Sequence, residues 1–517
     1  MTIKPLPTIG VIGAGTMGSG IALVALYAGC EVYVQDAFQQ MLDKSGEYLR
    51  TYLEKKNQVD RVKKFHLVST LDELAPAEFV IEAAPERLEL KQEIFRKLDS
   101  VCQPSAILAT NTSTLSVTAI ASATQHPERV VGMHFFNPAP ILPLVEIVRA
   151  AGTDQRTIDR LVELTQAFGK TPVIIGDTPG FIVNRVARPF YGEALRLLGE
   201  GVATHEQIDQ IVEQAGGFKM GPFRLMDLIG IDINAGAVRS MYEQTFGEPR
   251  YRPHWIQIQK LAEGALGKKS GRGFYKYPED GNSSKAEAKP PSAGDASGQI
   301  LISEGTWAPG LADLCTRAGY EVDSVPDPAE KPAACFVVAG RAEEAARLLA
   351  WYDQSLATEI PFFVQCADIA LSEAASWVQH FERVIGFDGL FLDGAIVTLS
   401  ESGKLVHGIP SQAEEIIRHF GKEPSWAKES PAMILPRIVC QLVNEAAFAQ
   451  LEGVADGATI DLAMRLGVNY PRGPLEWGKM IGYDKVLAVL DHLYNEYHEE
   501  RYRACILLRS WARLFDI

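Results

Sequence analysis

The chain is poor in cysteine, in basic charge and in long apolar runs. Seven cysteines (Cys30, Cys102, Cys315, Cys335, Cys366, Cys440 and Cys505) are scattered over 517 residues with no CxxC pair and no metal-ligand spacing. That argues against a disulfide framework or a zinc cluster and predicts buried thiols in a reducing cytoplasm, with no metal. No stretch of 18 apolar residues occurs, so no segment is expected to cross a bilayer as a helix. Nor is there a basic segment with a long apolar stretch and a small-residue cleavage site before the apolar run Ile9-Gly10-Val11-Ile12, so a cytoplasmic chain is expected and not a secreted one. Lysine and arginine (50) are outnumbered by aspartate and glutamate (65), for a formal net charge of -15. The excess disfavours nucleic acid and anionic membranes as partners, and any anionic substrate must find a local basic patch.

What is present is ordinary globular sequence, 47% hydrophobic and 22% charged, with room for three or four domains. Up to about residue 175, short apolar runs alternate with helical patterns, the layout of a parallel sheet covered by helices. Ile9 to Ile12, Glu31 to Gln35, Phe79 to Ala83, Ala106 to Ala109 and Val130 to His134 read as its strands. From Pro179 the pattern becomes amphipathic and helical, as in Gly180 to Leu198 and His205 to Ala215. Asp280 to Gly298, rich in Ser, Ala, Gly, Pro and Lys, reads as a linker.

Beyond the linker the order repeats. Pro179 to Asp232 aligns without a gap to Pro431 to Asp484, 252 residues on, with 16 of 54 positions identical. The sheet segments align in pieces: Ala28-Gly29 and Glu31-Val32 recur at Ala318-Gly319 and Glu321-Val322, and Arg129-Val130-Val131-Gly132 recurs as Arg383-Val384-Ile385-Gly386. The offset falls from 290 to 254, which implies a deletion of about 36 residues in the second copy. Duplication supplies an internal control. A residue the fold needs should persist in both copies, whereas one needed only by a reaction can vanish from one.

Gly13-Ala14-Gly15-Thr16-Met17-Gly18 is a GxGxxG motif between an apolar strand and a helical pattern. Its first glycine allows a tight turn, its second lets backbone approach a pyrophosphate, and its third lets helix pack on strand. The helix amino terminus then faces the phosphates. Asp36 ends the next strand, where a carboxylate accepts hydrogen bonds from the adenosine ribose and repels a 2'-phosphate, so NAD is favoured over NADP. The second copy has Ser303, Gly305, Ala308 and Pro326 at the corresponding positions and is expected to bind no dinucleotide.

His134-Phe135-Phe136-Asn137-Pro138 ends a strand, and Glu146 follows twelve residues later in the apolar segment Leu144 to Val148. Taken alone, each has an ordinary structural explanation. The carboxyl-terminal edge of a doubly wound sheet is nevertheless where ligands bind. The duplication sharpens the point: His134, Ser113 and Asn184 align with Asp388, Ala367 and Pro436, while Arg185, Glu193, Asp209, Gly221 and Pro222 return as Arg437, Glu445, Asp461, Gly473 and Pro474.

Together, Gly13 to Gly18, Ala84-Pro85-Glu86, Asn111-Thr112-Ser113, His134 to Pro138 with Glu146, Thr178 to Arg185 and Gly267 to Tyr275 closely resemble the L-3-hydroxyacyl-CoA dehydrogenase family in its own order. The resemblance implies a Rossmann domain (1–178) and a helical domain (179–280), then a linker (281–298), a reduced Rossmann-like domain (299–425) and a second helical domain (431–517). That layout looks like the long bacterial form, which includes phenylacetate-pathway enzymes acting on 3-hydroxyadipyl-CoA. The implied reaction is NAD-dependent oxidation of a 3-hydroxyacyl-CoA, as in fatty acid or phenylacetate degradation. His134 would be the general base, Glu146 its orienting carboxylate, and Ser113 and Asn184 the groups that hold the reacting oxygen. By the same resemblance Glu86, Lys91 and Asn137 lie on the ribose or nicotinamide side of the cofactor, with Asn111 also in the cofactor set. For Lys91 a solvated helix lysine is the alternative. Ser45, Tyr52, Lys55 and Lys56 lie where the family contacts CoA, but their spacing does not match, and for Lys55-Lys56 a charged surface helix is expected. Single-length members resemble dimers joined through the helical domain, so the two helical copies are expected to form an intrachain pseudo-dimer, with a homodimer of such chains possible. A non-catalytic NAD-binding relative and a dehydrogenase of a free hydroxy acid remain the alternatives.

Overall fold

The computed structural model describes residues 6–278, 296–327, 331–403 and 405–514. Most of the expected linker, residues 279–295, lies outside the described residues. The chain divides into two compact units, Met1–Arg185 with Ala449–Asn469 and Val186–Phe448 with Tyr470–Ile517.

The first unit is built on eight strands: β1 (Thr8–Ile12), β2 (Glu31–Gln35), β3 (Phe65–Val68), β4 (Phe79–Glu82), β5 (Ile107–Thr110), β6 (Val130–Phe135), β7 (Leu144–Arg149) and β8 (Thr171–Gly176). Their order is β3-β2-β1-β4-β5-β6-β7-β8, parallel throughout except between β6 and β7. Order reverses on either side of β1, which makes a doubly wound sheet with its ligand crevice at the carboxyl ends of the strands. Both faces are covered, and Ile9, Val11, Val32, Val34, Ile81, Ala109, Val131 and Ile147 are buried in one apolar core. Sequence patterning located β1, β2, β4, β5 and β6 but passed over β3, β7 and β8. Each has a reason: β3 carries a partly exposed His66, β7 carries Glu146, and β8 is an edge strand containing Pro172, a position where proline costs no ladder bond.

The second unit contains helices Arg188–Gly199, His205–Gln214, Pro222–Ile229, Ile231–Gln244 and Trp255–Ala262, then a second sheet. The run expected from Gly180 to Leu198 is two helices, Val183–Val186 and Arg188–Gly199. Asp209 explains one retained trio: its carboxylate accepts the Phe223 and Arg224 N–H groups (2.9 Å each), and a Cβ on Gly221 would sit 2.4 Å from it. Asp209, Gly221 and Pro222 therefore cap a helix, which any copy of the fold needs.

The second sheet has seven strands: β9 (Gln299–Ile302), β10 (Glu321–Asp323), β11 (Ala334–Val337), β12 (Phe362–Gln365), β13 (Val384–Phe387), β14 (Ile396–Glu401) and β15 (Glu423–Lys428). The order β10-β9-β11-β12-β13-β14-β15 repeats the first sheet with β3 missing. The 43 residues between β2 and β4 shrink to 10 between β10 and β11, so the deletion removed β3 and the helix Gln39–Lys55. Residues 426–428 continue the last strand past the expected domain end at 425.

Within this unit the two helical copies are joined by buried ion pairs. Arg437, fully buried, donates to Glu193 and Glu200 (both 2.8 Å) and to the Tyr497 and Tyr502 hydroxyls (both 2.9 Å). The Tyr502 hydroxyl donates to Glu193 at 2.9 Å, and the Tyr251 hydroxyl donates to Glu445, the counterpart of Glu193, at 2.6 Å.

Candidate active site

The turn after β1 has the geometry a dinucleotide requires. Gly13 has φ +92°, and a Cβ there would lie 2.6 Å from the Ala83 carbonyl oxygen; at Gly18 it would lie 1.7 Å from the carbonyl oxygen of Gly13. At Gly15 it would meet no described atom within 4 Å, so the backbone is open to a close approach. Gly15 caps the helix Thr16–Ala28, whose first turn, with Thr16 exposed and Met17 half-buried, holds no acidic side chain. Anionic phosphates fit such a terminus. Asp36, just past β2, accepts the Ala14 N–H at 2.8 Å and the Phe38 N–H at 2.9 Å, which fixes the carboxylate beside the glycine turn.

At the ends of β4 and β5 lies a buried polar network. Glu82, wholly buried, accepts from Lys91 Nζ (2.6 Å), the Ala84 N–H (2.6 Å) and Thr110 Oγ1 (2.7 Å). Lys91 is 1% exposed and reaches Glu86 at 3.4 Å, so it is not a solvated helix lysine. Glu86 Oε1 in turn accepts from Thr112 Oγ1 (2.6 Å) and from the Ser113 and Thr114 N–H groups (3.0 Å each). Burial raises the Glu86 carboxyl, but Lys91 and the hydrogen bonds from residues 112 to 114 outweigh it and hold it below the usual range. The Ser113 loop is thus tied to a carboxylate on the cofactor side. Glu82 and Thr110 are not legible in the sequence, because a single polar residue at the end of an apolar strand carries no pattern, whereas Thr112 falls within the motif Asn111-Thr112-Ser113. Their counterparts by strand register, Phe336 or Val337 for Glu82, Val364 for Thr110 and Cys366 for Thr112, are apolar or weakly polar, and Lys91 becomes Ala345.

β6 and β7 bring the candidate base to its carboxylate. Their antiparallel register sets His134 opposite Glu146, and Nδ1 lies 2.6 Å from Oε2. Glu146, 0% exposed, uses Oε1 to accept the N–H groups of Ile182 and Val183, both at 3.1 Å. An ionised carboxylate only accepts, so Nδ1 carries the hydrogen and Nε2 presents its lone pair. Phe136 and Phe181 flank the imidazole, with centroids at 4.6 and 5.7 Å. Asn184 follows on the helix that Glu146 caps, with Nδ2 3.5 Å from the Ser113 carbonyl oxygen. Asn111 Oδ1 accepts the Phe135 N–H at 2.8 Å, and Asn137 is exposed just beyond β6. Beyond Pro138, Ala139 and Pro140 pack against Gly20 of the helix Thr16–Ala28. His134, Glu146, Ser113, Asn184 and the glycine turn all lie in the first unit.

Not every close contact is specific to chemistry. Asp177 accepts the Thr118 N–H at 2.7 Å and so clamps the helix after the Ser113 loop; in the second copy Glu429 accepts the Ser372 N–H at the same distance. That clamp is scaffolding. The reactive pair does not recur: opposite Asp388 stands Thr398, whose carbonyl accepts the Asp388 N–H at 3.1 Å. Gly305 aligns with Gly15 but differs from it, with φ +152° and a would-be Cβ 2.2 Å from the Val338 carbonyl oxygen. The following helix begins only at Leu311, and Trp307 packs on Gly340, the counterpart of Glu86. Ser45 is buried against the Ser19 hydroxyl (2.9 Å) and is not a surface contact.

The chain is similar to known proteins. Residues 8–178 match the 3-hydroxyacyl-CoA dehydrogenase NAD-binding domain, and residues 180–277 and 433–514 both match the family's C-terminal domain. The chain belongs to the 3-hydroxyacyl-CoA dehydrogenase family. It is 36% identical to the 3-hydroxyadipyl-CoA dehydrogenase of Escherichia coli over 98% of each chain. A crystal structure of 3-hydroxybutyryl-CoA dehydrogenase from the same species is similar over 99% of both chains, with 34% identity and a TM-score of 0.76. The human mitochondrial hydroxyacyl-coenzyme A dehydrogenase is 39% identical over 52% of this chain and 90% of its own. As a 3-hydroxyacyl-CoA dehydrogenase the protein is an NAD-dependent oxidoreductase, and its glycine turn, Asp36 and the Glu82-Lys91-Glu86 network fit that cofactor. Among the described residues no helix is long and apolar enough to cross a membrane.

Proposed function

We propose that the chain oxidises the secondary alcohol of an (S)-3-hydroxyacyl-CoA with a short or dicarboxylic acyl group, at one active site per chain. The observation that carries this reading is the buried His134–Glu146 pair at 2.6 Å, absent from the second copy. His134 Nε2 takes the hydroxyl proton while the hydride leaves the same carbon, so the alcohol loses two electrons and two hydrogens and becomes a ketone. NAD, when bound, accepts that hydride. Glu146 holds the imidazole in the reactive tautomer and balances the imidazolium that forms. Ser113 and Asn184 hold the reacting oxygen. Gly13, Gly15, Thr16, Met17, Gly18 and Asp36 take the adenosine and pyrophosphate, and Glu86, Lys91, Asn111 and Asn137 order the ribose and nicotinamide side.

The full-length similarity to a 3-hydroxyadipyl-CoA dehydrogenase supports a dicarboxylic substrate, and 3-hydroxybutyryl-CoA is the short-chain alternative. The division at 178, 280, 298 and 425–431 is part of the proposal, as is a pseudo-dimer of the helical domains, supported by the reciprocal bonds at Glu193 and Glu445. Seven buried, unpaired cysteines support a cytoplasmic setting. The test is NADH formation from 3-hydroxybutyryl-CoA and 3-hydroxyadipyl-CoA, set beside the free acids, with wild type and His134→Ala. Turnover of the thioesters with a loss above 1,000-fold in the variant is expected, and undiminished turnover in the variant would overturn the mechanism.

A further inference from the structure

Residues Ala449–Asn469 belong in sequence to the second helical copy, yet they pack in the unit that holds His134. Three contacts seat them there. The Gly176 N–H donates to the Val454 carbonyl at 3.2 Å, Arg185 pairs with Glu452 at 2.8 Å, and the helix Gly457–Val468 packs along β7. At the end of that helix a Cβ on Gly467 would lie 2.9 Å from Leu144 Cδ2, 3.0 Å from Val183 Cγ2 and 3.6 Å from Phe136 Cε1. These neighbours border the reaction. Val183 donates its N–H to Glu146 and precedes Asn184, and the Phe136 ring lies 4.6 Å from that of His134.

The duplication shows what the fold alone demands. Gly467 aligns with Ala215, which packs on Gly394 beside β14 in the silent copy. The same helix position therefore tolerates a methyl group where no chemistry depends on it. A helical glycine costs about 0.5–1 kcal/mol relative to alanine, so its use at 467 calls for a local reason. Room for Val183 and Phe136 supplies it.

We propose that the second copy serves the reaction directly: Ala449–Asn469 forms the back wall of the active site, and Gly467 is a positioning residue that sets Val183 and Phe136. Through them it fixes Glu146, Asn184 and the plane of the His134 ring. This rests on the reading of His134 as the base. The partner of the catalytic copy is thus a segment of the same chain, which gives a physical reason for keeping a copy without chemistry of its own.

The test uses the full-length enzyme with NAD and 3-hydroxybutyryl-CoA. Gly467→Val is expected to lower kcat at least 30-fold with KM for NAD within twofold. Ala215→Val, the matching change in the first helical copy where it packs on the silent sheet, is expected to leave kcat within twofold at a similar loss in Tm. Val183→Ala keeps the N–H that Glu146 needs and frees space. Introduced with Gly467→Val, it should bring kcat to within fivefold of Val183→Ala alone. The inference falls if Gly467→Val costs no more kcat than Ala215→Val, or if the changes at 467 and 183 combine without coupling. A wild-type enzyme that turned over no acyl-CoA would instead refute the underlying reading.

Discussion

Replacing Glu146 by glutamine tests the core of the mechanism because it preserves shape and removes only charge. In the native protein Oε1 accepts two backbone N–H groups at 3.1 Å and Oε2 faces His134 Nδ1 at 2.6 Å. A glutamine can place its carbonyl oxygen on the backbone pair or on the imidazole, but not on both. Facing the imidazole would turn the NH2 group toward two buried donors, each costing about 1–3 kcal/mol when left unsatisfied. The carbonyl is therefore expected on Ile182 and Val183, with the NH2 group facing Nδ1. The imidazole then accepts at Nδ1 and carries its hydrogen on Nε2, the nitrogen that must take the substrate proton. Loss of the reactive tautomer and of the countercharge should lower kcat about 10³–10⁴-fold, roughly 4–5.5 kcal/mol. Stopped-flow measurement of NADH formation at saturating NAD would read this, with KM for NAD changed less than twofold. Adding His134→Ala should cost little more, since the two residues act as a unit. A kcat within tenfold of wild type, or a loss confined to the KM for NAD, would refute the reasoning.

Two further outcomes follow from the glycine turn and the silent copy. Gly15→Ala should fold with unchanged Tm but raise KM for NAD more than tenfold, whereas Gly18→Ala should be destabilised outright, because its Cβ would fall 1.7 Å from a carbonyl oxygen; equal Tm losses would contradict the assignment. Asp388 is pushed up to about 7 by burial, against the hydrogen bonds from Leu390 and Phe391. A carboxyl whose folded pKa lies above its unfolded value near 3.9 contributes stability that is full below about pH 4 and is lost as pH rises through 7. Asp388→Asn should therefore flatten the fall in unfolding free energy between pH 4 and 8, read from urea melts, by up to about 4 kcal/mol, while kcat stays within twofold. Parallel pH profiles for the two proteins would count against it.

How much of this could be read from the sequence depended on whether a residue's signal was local. Strands such as β1 and β4 are continuous apolar runs, and the glycine turn is six adjacent residues, so both were legible. β8 was not, because an edge strand with Pro172 has the look of a loop until its neighbour β7 is known. Lys91 and Lys55 are both helix lysines in sequence, but only Lys91 is folded onto a buried carboxylate, 2.6 Å from Glu82. Gly305 kept its identity without its environment.

The sequence by itself determined the duplication, the dinucleotide turn, the family and the loss of His134, Ser113 and Asn184 from the second copy. All of these are patterns of spacing and identity along the chain. Only the tertiary structure decided that Glu146 divides its two oxygens between the imidazole and a helix terminus, and that Glu82 anchors Lys91 under Glu86. It also assigned residues 449–469 to the catalytic unit. Those facts depend on which distant segments the packed core brings within hydrogen-bond or van der Waals reach, and spacing along a chain does not encode that directly.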